Sequence, residues 1–491
     1  MIGIIGDVML DIYTYGRVTK LAPEARVPVL EKKEDNFYLG GAGNTAKNLI
    51  SLNKKVFLFG LVGNDKEGVK IRKLCKENNI NFFFVSDGRP TTSKHRYLDR
   101  HKNKIHIRID TEKKNKIKKE VADKIIKELK KKNLKILIIS DYAKGLVTNY
   151  LISKIKKELK NTKLLVDPKP KNINLYKDAF LIKINEKEAR EISKILNINK
   201  KNINSIGKSL VNKLRSNIII TLGDKGGILF EKNKNVSANR YYPLKLKSKV
   251  KCVAGAGDTF LAILAFCLDF DFDLNYATKL ANKGANIIVR KEDTSSITKE
   301  ELFNYGTKKA VFLDRDGVIN EDPPHYVHKI QDFRFIGDVF KTLKVLKKKG
   351  FLIYIITNQS GVARGYYSEK DVIILNNYII KELKKRKIYI DGISYCPHHP
   401  NAAIKKYKLN CFCRKPKPGM ILKLAEEKKV NLSKSWVIGD KISDIIPGKI
   451  LGCKTVLLLT GHGKKEVKKI TSINKPDYVF DKLSDTLNVI K

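Results

Sequence analysis

Short apolar runs alternate with amphipathic stretches along the whole chain. The runs at 135–140, 163–167, 217–221 and 351–357 are almost unbroken in Ile, Leu, Val and aromatic residues. That is the pattern of strands buried on both faces of a parallel sheet. The stretches between such runs repeat their apolar positions at helical spacing, which predicts βαβ units and an α/β fold throughout. Periodicity is weakest at 293–309. A boundary is therefore predicted there, with one domain over 1–304 and a second over 308–491. At 491 residues the chain exceeds one ordinary core, in keeping with two domains.

Composition changes this picture little. The apolar fraction of 42% suffices for two cores. The net charge of +48 suggests a nucleic-acid partner, but only 16 of the 99 basic residues are Arg. Lys is spread through both halves among Asn and Ile, which describes a solvated surface rather than a local binding patch. No nucleic-acid partner is expected, although such a field attracts small anions. Seven Cys in this length do not suggest a disulfide framework, and a reducing cytoplasm is expected. The first residues, Met1 to Asp7, lack the basic segment of a secretory signal. No apolar run approaches the ~20 residues that span a bilayer, so no membrane partner is expected.

Candidate chemistry appears at the ends of predicted strands and the starts of predicted helices. In the first half, Gly40-Gly41-Ala42-Gly43-Asn44 precedes a helical stretch, and Gly255-Ala256-Gly257-Asp258-Thr259 opens an apolar one. Small residues at a helix N-terminus leave backbone N–H groups open to an anion. Asp258 within such a pocket can take a proton from a substrate hydroxyl, as transfer of a γ-phosphoryl group to a sugar requires. A plain turn and helix cap would use the same residue types.

In the second half, Asp314-Arg315-Asp316 ends an apolar run, Thr357-Asn358-Gln359-Ser360 ends another, Arg414-Lys415-Pro416 follows, and Gly439-Asp440-Lys441 ends a fourth segment. Strand ends of this kind meet at one sheet edge. The set suits a phosphatase. Asp314 attacks phosphorus, Asp316 handles the proton, Thr357 and Lys415 hold phosphoryl oxygens, and Asp314 with Asp316 and Asp440 supplies oxygen ligands for Mg²⁺. Between these elements lie Cys396-x-His398 and, twelve residues on, Cys411-x-Cys413. Three thiolates and an imidazole make a closed tetrahedral set, which predicts structural Zn²⁺.

The first half resembles the ribokinase-like (PfkB) sugar kinases, and among them the heptose-7-phosphate kinases. The resemblance rests on Gly6-Asp7-Val8-Met9-Leu10-Asp11, Pro23 to Val29, Thr92-Ser93-Lys94-His95-Arg96, Ser140 to Gly145 and Val166-Asp167-Pro168-Lys169. It implies ATP and Mg²⁺, with Asp258 as base and Gly255, Ala256 and Gly257 as anion hole. It also implies that Asn185 and Glu188 lie near the metal and phosphates, and Thr221, Gly223, Gly226 and Asn282 near the nucleotide. Asp7, Asp11, Gly41, Asn44, Lys94 and Arg96 are implied to face the sugar phosphate. Ala254 departs from the Thr common in relatives. A small lid sheet from about 12–30 and 92–108, and a homodimer through it, are implied as well.

The second half resembles the haloacid dehalogenase superfamily, specifically its zinc-loop group of heptose-bisphosphate and histidinol phosphatases. Tyr326-Val327-His328, Asn358 to Gly365, Tyr395 to Pro400 and Lys415 to Met420 carry the resemblance. It implies that Asp322, Tyr326, Asn358, Gln359, Ser360, Arg414 and Lys441 touch the substrate. The loop Asp322 to Tyr326 is one residue longer than the group's usual loop. Together the halves imply two consecutive steps on one heptose phosphate. A His-x-Gly-His element is not found, so a separate nucleotidyltransferase is expected to act next. A different sugar kinase joined to a histidinol-phosphatase-like domain is the alternative, with nucleic-acid end repair behind it.

Overall fold

A computed structural model of the chain describes residues 1–99, 104–232, 238–241, 250–291 and 295–491. It comprises two compact units, Met1–Asp269 with Asp273–Thr298, and Lys299–Lys491 with Phe270–Phe272.

The N-terminal unit is built on a sheet with nine strands among the described residues. Ile2–Gly6 lies inside it, flanked by Val56–Leu61 and Asn81–Val85 on one side. On the other side follow Ile136–Ser140, Lys163–Asp167, Leu181–Asn185 and Asn217–Thr221. All of these pairings are parallel, whereas Gly227–Phe230 and Ala238–Tyr241 add an antiparallel edge. Every residue of Ile2–Gly6 and Ile136–Ser140 is buried. Their continuous Ile and Leu runs fit a sheet covered on both faces. The lid is a separate sheet in the order Pro28–Gly41, Val8–Leu21, Ser93–Asp99, Lys104–Thr111. Val8–Leu21, Ser93–Asp99 and Lys104–Thr111 fall largely in the regions predicted for the lid, whereas Pro28–Gly41 runs well past the predicted end at residue 30, and residues 100–103 of that prediction lie outside the described residues.

The C-terminal unit carries six parallel strands among the described residues, in the order Gly392–Cys396, Leu352–Asn358, Ala310–Leu313, Trp436–Gly439, Lys454–Leu458, Tyr478–Phe480. Because neighbouring strands run the same way, the residues after Leu313, Ile356 and Gly439 reach one edge together. Val311, Leu313, Ile353, Ile355 and Ile438 pack with the helices Val339–Lys348 and Glu369–Lys385 to form the core beneath that edge. No helix among the described residues is long and apolar enough to cross a membrane.

Candidate active sites

In the N-terminal unit Asp258 sits in the first turn of the helix Ala256–Asp269 and is only 4% exposed. Asn44 Nδ2 donates to its Oδ2 at 2.9 Å and the Tyr142 hydroxyl donates to its Oδ1 at 3.0 Å. Burial, with repulsion from Asp167, pushes the Asp258 carboxyl up to about 6. Burial does the same to Asp7, also to about 6, although the backbone N–H groups of Tyr142 and Lys144 donate to its Oδ2 at 2.8 and 3.1 Å. Asp11 and Lys94 are register partners on adjacent lid strands. Arg96 Nη1 lies 2.7 Å from Asp11 Oδ1, and Lys94 Nζ lies 5.5 Å from the centre of the Tyr142 ring. Gly41 has φ 58°, and a Cβ there would lie 2.4 Å from the Asp7 carbonyl oxygen. Only glycine fits that approach. Tyr142 thus ties Asp7 and Lys94 to Asp258.

Beside Asp258 lies a cavity of about 390 Å³ lined by Thr221, Gly223, Gly226, Ala256, Gly257 and Asn282, with Val250, Val253, Phe260 and Val289 as apolar walls. Apolar walls with backbone amides at a helix start suit a nucleoside and its phosphates. Gly255 immediately precedes that helix, with φ 78°. Asn185 and Glu188 do not line this cavity. They form a capping box on the helix Glu186–Ile195, and Glu188 Oε1 accepts from Lys169 Nζ at 2.8 Å. The atoms that the resemblance assigns to the metal and phosphates thus cap a helix and bind Lys169 here.

In the C-terminal unit, Asp314, Asp440 and Asp444 each offer an oxygen within 4.8 Å of the others, and all three are buried. Burial and mutual repulsion push both Asp314 and Asp440 upward. The buried Asp440 Oδ1 has no hydrogen-bond partner among the described residues. Three close carboxylates with an orphaned oxygen fit Mg²⁺, a hard cation that prefers oxygen ligands. Gly317 (φ 85°) lets the chain pass, because a Cβ there would lie 2.5 Å from Asp440 Oδ2. Lys415 Nζ lies 2.8 Å from Asp314 Oδ1, 2.7 Å from Asp444 Oδ1 and 2.9 Å from the Ile356 carbonyl oxygen.

The carboxylate of Asp316 is held apart from this trio, so the expectation that it joins Asp314 and Asp440 as a Mg²⁺ ligand is corrected: Asp444 occupies that place because Asp316 is turned toward other partners. It accepts from Arg315 Nε and Nη2 at 3.0 and 2.8 Å, Asn320 Nδ2 at 3.1 Å and Gln359 Nε2 at 3.1 Å. Although burial opposes it, the Arg315 guanidinium holds this carboxyl below its usual range. Gln359 Nε2 also reaches Thr357 Oγ1 at 2.8 Å, and the Tyr367 hydroxyl donates to Gln359 Oε1 at 2.8 Å. Asn358 exchanges two hydrogen bonds of 3.1 Å with the backbone of Lys415, fixing the cation loop to the strand Leu352–Asn358. Lys441 Nζ lies 3.0 Å from Asp322 Oδ2 and 4.0 Å from Asp440 Oδ2. Tyr326 packs against Tyr366 and Tyr367, and Ser360 opens the short helix Ser360–Arg364. Cys396, Cys411 and Cys413 have sulfur separations of 2.9–3.4 Å. His398 Nδ1 lies 3.8 and 3.6 Å from Cys396 and Cys413. Arg414 Nη1 donates to the His398 carbonyl oxygen at 3.1 Å.

Comparison with known proteins finds relatives for both units. Residues 1–301 match the model of the pfkB family of carbohydrate kinases, and residues 412–486 match a HAD-hydrolase-like model. The bifunctional protein HldE of Helicobacter hepaticus is 34% identical over 311 residues, covering 62% of this chain and 63% of that protein. The D-glycero-beta-D-manno-heptose-1,7-bisphosphate 7-phosphatase of Pasteurella multocida is 42% identical over 187 residues, 38% of this chain and 97% of that protein. The chain belongs to the pfkB carbohydrate kinases and, in its C-terminal unit, to the heptose-bisphosphate phosphatases. Phosphofructokinase-2 of Escherichia coli shares the kinase fold, with a TM-score of 0.52 at 15% identity over 62% of this chain and 96% of its own. The chain spans 63% of the length of its bifunctional relative.

Sequence reasoning missed several participants. In the phosphatase unit Asp444 completes the acidic trio. It follows Asp440 by four residues, one helical turn into Ile442–Leu451, a spacing that could have revealed it. Arg315 and Tyr367 carried no usable signal, because what they hold lies elsewhere in the fold or on a neighbouring side chain. In the kinase unit the motifs containing Tyr142 and Asp167 were legible, but the bond from the Tyr142 hydroxyl to Asp258 and the buried pair of Lys183 and Asp167 at 2.7 Å were not. A Cβ on Gly257 would lie 2.8 Å from Lys183 Nζ, so this pair lies against the start of the helix Ala256–Asp269.

Proposed function

We propose that the chain catalyses two successive steps: phosphorylation of heptose 7-phosphate at C1 by ATP, then hydrolysis of the 7-phosphate of the resulting 1,7-bisphosphate. The carrying observation is the union, on one chain, of a pfkB kinase unit with a phosphatase unit that is 42% identical over almost the whole length of an enzyme named for that bisphosphate.

In the first step Asp258 accepts the proton of the C1 hydroxyl as its oxygen attacks the γ-phosphorus, and ADP departs. ATP supplies the phosphoryl group. Amides of Gly255, Ala256 and Gly257 face the charge that develops, and Lys94 and Arg96 hold the sugar's 7-phosphate. Asp7, Asp11, Gly41 and Asn44 orient the sugar, while Thr221, Gly223, Gly226 and Asn282 flank the nucleotide and Asn185 and Glu188 its metal-bound phosphates.

In the second step Asp314 attacks the phosphorus of the 7-phosphate and the bond from that phosphorus to the C7 oxygen breaks. Asp316 gives a proton to the leaving oxygen, then takes one from the water that cleaves the aspartyl-phosphate. A substrate dianion beside Asp316 favours its protonated form and so works against its Arg315 partner. Lys415 and Thr357 hold the phosphoryl oxygens. Asp314 and Asp440 with Asp444 would hold Mg²⁺, which would supply the charge that lets a carboxylate approach a dianion. Zn²⁺ on Cys396, His398, Cys411 and Cys413 suits the sulfur and nitrogen spacing and would fix the loop that presents Arg414 and Lys415. Asp322, Tyr326, Asn358, Gln359, Ser360 and Lys441 surround the sugar side. A nucleotidyltransferase would consume the heptose 1-phosphate, and the reaction belongs in the cytoplasm, where ATP is found. The lid sheet offers a dimer contact.

³¹P NMR of heptose 7-phosphate with ATP, Mg²⁺ and the protein tests this reading. Transient bisphosphate followed by 1-phosphate is expected. Faster turnover of fructose 1,6-bisphosphate or histidinol phosphate than of heptose bisphosphate would overturn the substrate assignment.

A further inference from the structure

We propose that Tyr142 is the positioning residue of the kinase base, its hydroxyl orienting Asp258 while its ring carries the lysine that receives the sugar phosphate. The inference rests on the kinase reading above.

Tyr142 follows the strand Ile136–Ser140 and touches three parts of the site at once. Its N–H donates to Asp7 Oδ2 at 2.8 Å and its hydroxyl to Asp258 Oδ1 at 3.0 Å. Lys94 Nζ and Lys169 Nζ each lie 5.5 Å from its ring centre, and Lys169 Nζ also holds Glu188 Oε1 at 2.8 Å. The ring therefore adjoins the lysine assigned to the sugar phosphate and the lysine bound to the element assigned to the nucleotide phosphates. A lysine over an aromatic face is attracted to it without its charge being neutralised there, so the ring leaves Lys94 able to bind phosphate, whereas Lys169 is held by Glu188.

The groups facing Asp258 are few. Asn44 and Thr45 approach from the helix Ala42–Ser51, at 2.9 and 3.5 Å. The ion pair of Asp167 and Lys183 approaches from two strands, and Tyr142 from its loop. Asn44 on Oδ2 and Tyr142 and Thr45 on Oδ1 together set the plane of the carboxylate, and Oδ2 keeps a lone pair for the substrate proton. Burial and the surrounding carboxylates push the Tyr142 phenol far above its usual range, so it remains a donor. A phenol donating to a carboxylate favours the charged form, hence losing it raises the pKa of the base.

The test measures ADP release from ATP and heptose 7-phosphate across pH in the full chain, with phosphatase activity on the bisphosphate as a folding control. Tyr142→Phe keeps the ring and removes the donor. Its acid limb should move up by about one pH unit and its plateau kcat should fall about tenfold, with KM for the sugar phosphate within about twofold. Tyr142→Leu removes the ring as well, and KM should also rise about fivefold. Replacing Tyr142 by 3-fluorotyrosine, a stronger donor of the same shape, should move the limb down, and this arm decides the matter if the phenylalanine variant does not fold. An acid limb that stays at the wild-type pH overturns the inference. A wild-type protein inactive toward every sugar phosphate would instead overturn the kinase reading.

Discussion

Lys415 and Asp314 meet at 2.8 Å, ammonium to carboxylate, with side chains only 3% and 7% exposed. Asp444 approaches the same ammonium from the other side at 2.7 Å. One cation thus offsets part of the repulsion in a buried acidic trio while lying where a phosphoryl group would enter. Lys415→Met leaves those acids without this partner. Release of phosphate from heptose bisphosphate should fall at least about 100-fold, and a urea melt of the C-terminal unit should lose about 3 kcal/mol. ADP release by the kinase unit should be unchanged.

Gln359 is a bridge between the groups assigned to proton transfer and to phosphoryl binding, since its amide nitrogen reaches both Asp316 and Thr357. Gln359→Leu removes both bonds and frees the Tyr367 hydroxyl that holds the amide. The phosphatase kcat should fall about tenfold or more, with KM within a few-fold, as for loss of an interaction that acts in the transition state. Tyr367→Phe, one bond further out, should show a smaller fall in the same assay. An unchanged kcat in the Gln359 variant would refute the bridge.

The Cys396, His398, Cys411 and Cys413 cluster should bind about one zinc per chain by atomic absorption. Cys411→Ser or a strong chelator should lower the melting temperature of the C-terminal unit and abolish phosphatase activity, because the loop carrying Lys415 loses its anchor. Metal release should be faster at low pH, where protons compete for the thiolates. Kinase activity should survive.

Asp7 is raised to about 6 from an ordinary value of 3.8, chiefly by burial. A raised carboxyl means that the folded state favours the protonated form. Stability from this group is therefore fully present below about pH 4 and is lost as pH rises through about 6. Asp7→Asn keeps an oxygen for the Tyr142 and Lys144 amides and removes the buried charge. It should stabilise the kinase unit at pH 8 by up to about 3 kcal/mol and by nothing near pH 3.5, read by denaturant melts at both values. Its KM for sugar phosphate should rise, because the charge belongs to the sugar side of the site.

Much of the fold could be read directly from the chain. The apolar runs at 135–140, 163–167, 217–221 and 351–357 became the strands Ile136–Ser140, Lys163–Asp167, Asn217–Thr221 and Leu352–Asn358. Buried parallel strands tolerate no polar interruption, so their pattern is unambiguous. The strand-end motifs around Asp314, Thr357 and Asp440 were legible for the same reason, and the Asp258 motif through the small residues that open an apolar helix. Cys396, His398, Cys411 and Cys413 were legible because ligand chemistry restricts residue type and local spacing.

What lay beyond the sequence was the pairing between distant side chains. Residue order identified which groups end up at a sheet edge, because a strand's direction is a local property. It could not reveal that Tyr142 reaches Asp258 across 116 positions, or that Asp316 turns toward Arg315, Asn320 and Gln359 rather than toward Asp440. Those choices follow from which strands become neighbours and which rotamers the packed core leaves open. Burial then makes each choice consequential, since an unpaired charge there is costly. The chain alone therefore determined the chemistry available at each strand end, and tertiary packing decided which carboxylate is buried among neutral donors, which is tied to a guanidinium, and which join in an acidic trio.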